Sequence, residues 1–106
     1  MNDKIIAIKT ALSMDDRLCQ LAEEAAELSK AALKLRRAMS NTNPTTCDYE
    51  QAAMNIFEEF TDVLLAARVM DISPDGDTVK NIYQYKLLRW YGRVNERNAE
   101  CEMTGK

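Results

Sequence analysis

Apolar residues recur at helical spacing along most of the chain. From Leu18 to Met39 they follow alternating steps of three and four residues, which is the pattern of a helix packed in a bundle. A shorter amphipathic stretch covers about Asn2 to Leu12, and Ser13 followed by Asp16 resembles a helix cap. The long stripe consists of Leu18, Leu21, Ala25, Leu28, Ala32, Leu35 and Met39. We therefore predict a short first helix and a long second helix whose stripe forms core.

Two polar breaks delimit the remaining helices. The run Ser40–Thr46 contains Pro44 and several Ser, Thr and Asn residues, which compete with helical hydrogen bonds. The third helix is predicted to begin near Asp48, and the segment Asp71–Asp77 ends it and caps a fourth helix that runs to about Asn98. The third helix carries two apolar rows, one of Ala53, Phe57, Phe60, Leu64 and Ala67 and one of Ile56, Val63 and Met70. This pattern predicts a central helix with two buried sides.

Composition agrees with an all-α fold. The 106 residues include only three glycines and two prolines, and 46% are hydrophobic, which indicates one four-helix bundle-like domain over residues 1–106. A chain of this length leaves much of its surface unburied, so we expect association as a homodimer or homotetramer. Fourteen basic against seventeen acidic residues give a net charge of -3, which argues against binding to a nucleic-acid polymer.

Several classes of chemistry and location are excluded by residue counts. The chain contains no histidine, which removes histidine-based triads and every histidine-containing metal site. Three widely separated cysteines without a CxxC pair indicate neither a disulfide framework nor a thiolate metal site. The N-terminal apolar run is too short for a signal sequence or membrane span. We therefore expect a cytoplasmic protein that does not interact with membranes.

Two acidic clusters of the form EExx(E/D) lie in the second and third predicted helices. In each cluster, two carboxylates three residues apart share one side of the helix, at the edge of the apolar stripe. These candidate metal ligands are Glu24, Glu27, Glu59 and Asp62. If the two helices pack antiparallel, four carboxylates meet across a groove, and a divalent cation is needed to offset their repulsion. Oxygen-only ligation favours Mg²⁺, Mn²⁺ or Ca²⁺, with Mg²⁺ preferred; either cluster alone is typical of a solvated helix surface.

Cations recur on the fourth helix. Lys86, Arg89, Arg93 and Arg97 follow one another at steps of three and four residues and form a strip along the helix. Such a strip suits the oxygens of a triphosphate, with Lys86, Arg89 and Arg93 as the candidate phosphate ligands. A solvated face that pairs with acids of a neighbouring helix or subunit explains the strip equally well. The neighbouring aromatic residues are more typical of core than of a stacked base.

Three segments resemble the MazG-like all-α nucleoside triphosphate pyrophosphohydrolases, which are related to dimeric dUTPases and phosphoribosyl-ATP pyrophosphatase. They are QLAEEAAEL at 20–28, FEEFTDVL at 57–64 and KLLRW at 86–90. The short length is similar to that of members carried by phages and prophages. The resemblance implies Mg²⁺ binding at Glu24, Glu27, Glu59 and Asp62 and phosphate contacts by Lys86 and Arg89.

The predicted activity is Mg²⁺-dependent hydrolysis of a (deoxy)nucleoside triphosphate to the monophosphate and pyrophosphate, as in nucleotide-pool sanitation. Glu23 is the candidate general base, because it adjoins the ligand pair without having to be a ligand. Two alternatives stay open: a non-catalytic helical dimerisation or regulatory module, and hydrolysis of a nucleotide-like metabolite such as phosphoribosyl-ATP. The sequence leaves the base and the sugar undetermined.

Overall fold

The computed structural model describes residues 2–40 and 48–103, and all regular secondary structure within them is α-helical. The four helices are α1 (Asp3–Ala11), α2 (Met14–Ser40), α3 (Tyr49–Val69) and α4 (Asp77–Met103). The predicted all-α class is therefore confirmed. Helix α4 continues to Met103, past its predicted end near Asn98. Most of the predicted polar break and Cys47 lie outside the described residues.

Side-chain caps explain where two of the helices begin. Ser13 Oγ accepts a hydrogen bond from the backbone N–H of Asp16 at 3.1 Å, as the sequence predicts. Asp48 Oδ1 accepts from the backbone N–H of Gln51 at 2.8 Å and so caps α3. Each cap satisfies a backbone donor in the first turn that has no partner within the helix, which stabilises the helix by about 1 kcal/mol.

A left-handed residue ends α3. Asp71 has φ 63°, a conformation that Asp tolerates better than most residues with a side chain. The backbone N–H of Ile72 donates to the carbonyl of Ala67, and that of Asp71 donates to the carbonyl of Arg68, which is the Schellman pattern. The Asp71 carboxylate also accepts from Lys9 Nζ at 2.6 Å, so it joins the end of α3 to α1.

The chain divides into two compact units, residues 1–72 and 73–106. In the first unit, α2 packs along α3, and α1 packs against α3. Helices α2 and α3 are antiparallel, because Arg17 near the start of α2 donates to the carbonyl of Val69 at the end of α3. The second unit contains α4, a single helix of 27 residues. None of the helices in the described residues has the length and apolar character needed to cross a bilayer.

The predicted stripe of α2 is only partly buried. Its three leucines at positions 21, 28 and 35 are half-buried, whereas Leu18, Ala25, Ala32 and Met39 are exposed. The face that meets α3 is rotated toward the preceding residues, so that Ala31 is buried in place of Ala32. Small buried residues on both helices, Ala31 on α2 and Ala52 on α3, allow close approach of the two backbones.

One of the two predicted buried rows of α3 is exposed. The row of Ile56, Val63 and Met70 is half-buried, as expected for the side that meets α2. In the other row, Phe57 is 68% exposed and Phe60 is 50% exposed. The prediction of two buried sides is therefore wrong for these aromatic residues. The side of α3 that shares a pocket with α1 carries Leu65 and Val69 instead.

Candidate metal centre and its flanking pockets

Three carboxylates from α2 and α3 converge at one point. Side-chain oxygens of Glu24, Glu59 and Asp62 all lie within 4.8 Å of one another. Glu24 and Glu59 are half-buried, and Asp62 is exposed. Two ligand oxygens on opposite sides of one ion lie about 4.2 Å apart for Mg²⁺ and about 4.8 Å apart for Ca²⁺. The spacing of this acidic triad, Glu24, Glu59 and Asp62, therefore fits one shared divalent cation.

The periodicity of each helix brings the acidic triad together. On α2, Glu24 lies seven residues from both Arg17 and Ala31, so all three share the face that meets α3. On α3, Glu59 lies in the half-buried row, and Asp62 follows one turn later on the same side. A polar residue thus replaces an apolar one at the middle of each contact face.

Repulsion and burial act on Glu59. Burial raises the pKa of its carboxyl group above the ordinary value, and the negative charges of Asp62, Glu27, Glu24 and Glu58 raise it further, in that order. Each cause penalises the ionised form, and the attraction of a nearby cation offsets that penalty. The electrostatics of Glu59 are therefore those of a site that gains from binding a cation.

No basic side chain neutralises the acidic triad within residues 2–40 and 48–72. The salt bridges of this part of the chain join Lys9 to Asp71 and Lys30 to Glu27. The neutral amide of Gln20 donates from Nε2 to Glu24 Oε1 at 2.8 Å and so fixes the orientation of that carboxylate. The negative charge of the triad is left uncompensated by this unit.

Two predicted acids lie outside the acidic triad. Glu27 Oε1 accepts from Lys30 Nζ at 3.4 Å, and both side chains are largely exposed. Glu27 nevertheless lies close enough to Glu59 to raise its pKa. Glu23, the candidate base, is exposed on α2 and is rotated about 100° around the helix axis from Glu24. Of the four predicted metal ligands, three converge.

The predicted phosphate ligands of α4 lie together. Lys86, Arg89 and Arg93 line a shallow pocket with Trp90. Trp90 is 70% exposed, and Tyr83 and Tyr85 are also exposed, so these aromatic residues are not the core residues that their spacing indicates. The second unit therefore presents cations and an accessible aromatic ring on one side of α4.

An apolar pocket adjoins the acidic triad on the side of α1. It has a volume of about 230 Å³, and its walls include Ile8, Leu12, Leu65 and Val69 together with Arg17. The triad members on α2 and α3 that border it are Glu24 and Asp62. The Nε atom of Arg17 is buried without a hydrogen-bond partner among the described residues. The pocket thus combines apolar walls with an unsatisfied donor.

A polar pocket adjoins the acidic triad on the other side, further along α2. Its lining includes Lys30, Lys34, Arg37 and Asn55, and Glu59 of the triad forms part of its wall. The sequence alone does not identify these three cations as part of a site. Their spacing of four and three residues marks one helix face, but only the crossing of α2 with α3 shows that this face borders the metal site.

Comparisons with known proteins do not identify a family. No family model matches the chain, and neither a curated protein nor a solved structure matches it. Inferences about function therefore depend on the chemistry of the acidic triad and its two pockets.

Proposed function

We propose that this protein is a Mg²⁺-dependent nucleoside triphosphate pyrophosphohydrolase of the MazG-like type, which converts a (deoxy)nucleoside triphosphate to the monophosphate and pyrophosphate. The observation that carries the proposal is the acidic triad, whose oxygens lie within 4.8 Å of one another. Such convergence costs free energy through mutual repulsion, and a bound divalent cation offsets that cost. The proposed role is removal of unwanted nucleotides from the cytoplasmic pool.

The donor set fits a hard divalent cation. Glu24, Glu59 and Asp62 supply only oxygen ligands, which suit Mg²⁺ and Mn²⁺. Glu27, one turn from Glu24, is proposed as a further ligand after release from Lys30. Mg²⁺ held there would neutralise phosphate charge and make a water molecule more acidic. Gln20 orients Glu24 in advance, so the ligand oxygens need little rearrangement.

The reaction requires one proton acceptor. Water adds to the α-phosphorus while the bond from that phosphorus to the bridging oxygen breaks, and pyrophosphate leaves with the bridging oxygen. The proton lost by the water passes to a carboxylate, and we propose Glu23 for this role. It has no hydrogen-bond partner in residues 2–40 and 48–72, so its oxygens are available to accept a proton.

The apolar pocket suits the nucleoside end of such a substrate. We propose that the apolar pocket beside Glu24 and Asp62 receives the nucleoside, since its volume of about 230 Å³ and its apolar walls match a flat heterocycle. Arg17 also lines this pocket and is proposed to contribute a polar contact beside the base or sugar. Lys86, Arg89 and Arg93 on α4 remain proposed phosphate ligands.

The rival proposal is a non-catalytic helical module that dimerises or regulates. It predicts solvated acids paired with Lys or Arg, and the pair of Glu27 with Lys30 has this form. The carboxylates of the acidic triad do not pair with Lys or Arg in residues 2–40 and 48–72. A non-catalytic helical module would also have no use for the two pockets beside the triad. Hydrolysis of a nucleotide-like metabolite such as phosphoribosyl-ATP would use the same site and the same reaction. This alternative differs from the main proposal only in the substrate.

We also propose that the chain associates as a homodimer or homotetramer. An apolar strip on α2 and one on α3 are exposed, each displaced by about 90° to 100° from the face where these helices meet. Because the helices are antiparallel, both strips lie on the same side of the pair, opposite α1. Their members are Met14, Leu18, Ala25, Ala32 and Met39 on α2 and Phe57, Phe60 and Leu64 on α3.

The size of this apolar face approaches that of a stable interface. Its six large side chains expose on the order of 600 Å² per chain, if each contributes roughly 100 Å², and Ala25 and Ala32 add to this. A standard interface buries about 800 Å² on each partner. The face carries no charged residue between Met14 and Ala32, and Arg36 lies on its last part, beside Met39. A second copy of the same face is a suitable partner for the uncharged part.

The direct test of the function is a pyrophosphate-release assay. We expect a panel of ribo- and deoxyribonucleoside triphosphates to yield pyrophosphate with Mg²⁺ and none with EDTA. Glu59→Gln should reduce turnover by at least about 100-fold, while circular dichroism shows an unchanged helical spectrum. Substantial turnover by Glu59→Gln, or release of orthophosphate in place of pyrophosphate, would reject the proposed reaction.

A further inference from the structure

Three cations of α2 border the metal site from within the same unit. Lys30, Lys34 and Arg37 line the polar pocket of about 330 Å³, and α3 contributes Asn55 to it. Glu59 forms part of the same wall. Glu27 also lines the pocket, so two carboxylates, of which Glu59 belongs to the acidic triad, share it with the basic side chains.

The charges of the polar pocket are not balanced internally. Lys30 pairs with Glu27 at 3.4 Å. Lys34 is half-buried, and neither it nor Arg37 forms a side-chain hydrogen bond or salt bridge with residues 2–40 or 48–72. Both lie in one pocket with Glu59 but do not pair with it. A ligand that satisfies both the carboxylates and the cations must present positive charge to the triad and negative charge to Lys34 and Arg37.

We propose that the polar pocket binds the β- and γ-phosphates of a triphosphate whose α-phosphate lies at the acidic triad. This inference rests on the function proposed above and adds a leaving-group site to it. In a metal–polyphosphate complex, the metal ion presents positive charge to the acidic triad, and the phosphates present negative charge to Lys34 and Arg37. Arg37 offers two parallel N–H donors to phosphate oxygens, and Lys34 offers a compact positive charge.

The position of these cations gives them a role in the reaction as well as in binding. Negative charge grows on pyrophosphate as the bond to the α-phosphorus breaks, and cations fixed beside it stabilise that charge. Lys34 is partly desolvated, which strengthens its attraction to phosphate relative to a solvated lysine. The polar pocket thus provides phosphate ligands in the unit that holds the acidic triad, independently of Lys86, Arg89 and Arg93.

The adjacent residue Arg36 provides a matched control. It is exposed on α2 like Arg37, but lies about 100° further back around the helix axis, on the side away from the polar pocket. Substitution by methionine removes the charge from either arginine or from Lys34 and keeps a long apolar stem. The control and test variants therefore change the net charge equally, and Arg36→Met matches Arg37→Met in exposure as well.

The probe is inorganic tripolyphosphate, titrated calorimetrically into the full chain with Ca²⁺ present. We expect Lys34→Met and Arg37→Met each to weaken tripolyphosphate binding by about 10-fold or more, as for loss of one charge-assisted hydrogen bond. Arg36→Met should bind within about twofold of the unmodified chain, since it lacks that contact. Binding of Ca²⁺ alone should be the same in all four proteins, and Lys34→Arg should recover most of the affinity.

The outcomes separate this inference from the proposed function. Equal tripolyphosphate affinity in Lys34→Met, Arg37→Met and the unmodified chain would overturn the polar pocket as a phosphate site. The same holds if Arg36→Met weakens binding as much as Arg37→Met does, because that would indicate a non-specific effect of charge. Failure of the unmodified chain to bind Ca²⁺ would count against the acidic triad instead, and with it the proposed function.

Discussion

Arg17 Nη1 donates to the backbone carbonyl of Val69 at 3.3 Å, and this hydrogen bond marks the register of α2 on α3. Glu24 lies seven residues after Arg17, and Asp62 lies seven residues before Val69. Seven residues of helix span about 10.5 Å, so two antiparallel helices with this register bring Glu24 and Asp62 together. The geometry of the acidic triad is thus linked to a contact two helical turns away.

Removal of the Arg17 guanidinium is expected to loosen this register. Arg17→Met keeps the apolar stem and loses the bond to Val69, so we expect a lower melting temperature and a smaller increase in that temperature on addition of Mg²⁺. Differential scanning fluorimetry with and without Mg²⁺ measures both. Lys4→Met, which removes an exposed cation of α1, should leave both unchanged. An unaltered response to Mg²⁺ in Arg17→Met would show that the register does not depend on this contact.

The raised pKa of Glu59 predicts how the stability of the metal-free protein depends on pH. The folded state binds the Glu59 proton more tightly than the unfolded state does, so this group makes folding less favourable as the pH rises from its ordinary pKa through the raised value. The contribution of Glu59 to stability is therefore greatest at the acidic end of that window. We expect Glu59→Gln to melt at a higher temperature than the unmodified chain at neutral pH without divalent ions.

Two measurements check this interpretation of Glu59. Melting curves in EDTA should show the advantage of Glu59→Gln shrinking as the pH falls through the raised pKa, because the unmodified Glu59 becomes protonated. Saturating Mg²⁺ should remove the advantage, since the cation stabilises the ionised carboxylate. An advantage of Glu59→Gln that is constant with pH would mean that repulsion at the acidic triad is not its cause.

Association through the apolar face predicts different effects for two exposed residues of α3. Phe57 is 68% exposed on the apolar face, and Met54 is 54% exposed on the side of α3 away from α2. In sedimentation velocity at micromolar concentration, Phe57→Glu should dissociate the oligomer, because it buries a charge in the interface. Met54→Glu should sediment like the unmodified chain. A monomeric unmodified chain, or dissociation by Met54→Glu alone, would contradict the proposed surface.

A crosslinking variant covers the case in which Phe57→Glu fails to fold. Ala25 lies on the apolar face of α2 and tolerates a small substitution because it is exposed. In a background with the native cysteines replaced by serine, Ala25→Cys should form a covalent dimer with a short bismaleimide. Met54→Cys in the same background should remain uncrosslinked. Equal crosslinking at both positions would indicate random collision.

The sequence predicts the helices well because their signals are local. Periodic apolar residues, a cap at Ser13 and the breaking segment Asp71–Asp77 act over a few residues, and the structure contains the helices that they indicate. The orientation of each helix is not local. Ala31 and Ala32 are equally apolar and differ by about 100° in direction, and only the fit of Ala31 against α3 determines which of them is buried.

The same distinction between local signals and helix packing explains which parts of the candidate site the sequence predicts. The EExx(E/D) spacing identifies carboxylates that share a helix side, and three of the four predicted ligands meet. The spacing cannot distinguish Glu27, which pairs with Lys30, from Asp62, which joins the triad. Lys34 and Arg37 carry no recognisable motif, because their importance depends on a wall that α3 supplies.

We propose that Glu24, Glu59 and Asp62 together hold one divalent cation, and the decisive experiment is a titration with Mn²⁺ followed by electron paramagnetic resonance. We expect the unmodified chain to bind Mn²⁺ and Glu24→Gln, Glu59→Gln and Asp62→Asn each to abolish that binding. The neighbouring variant Glu58→Gln should preserve it. Equal Mn²⁺ binding by Glu58→Gln and the three triad variants, or no binding by the unmodified chain, would contradict this proposal.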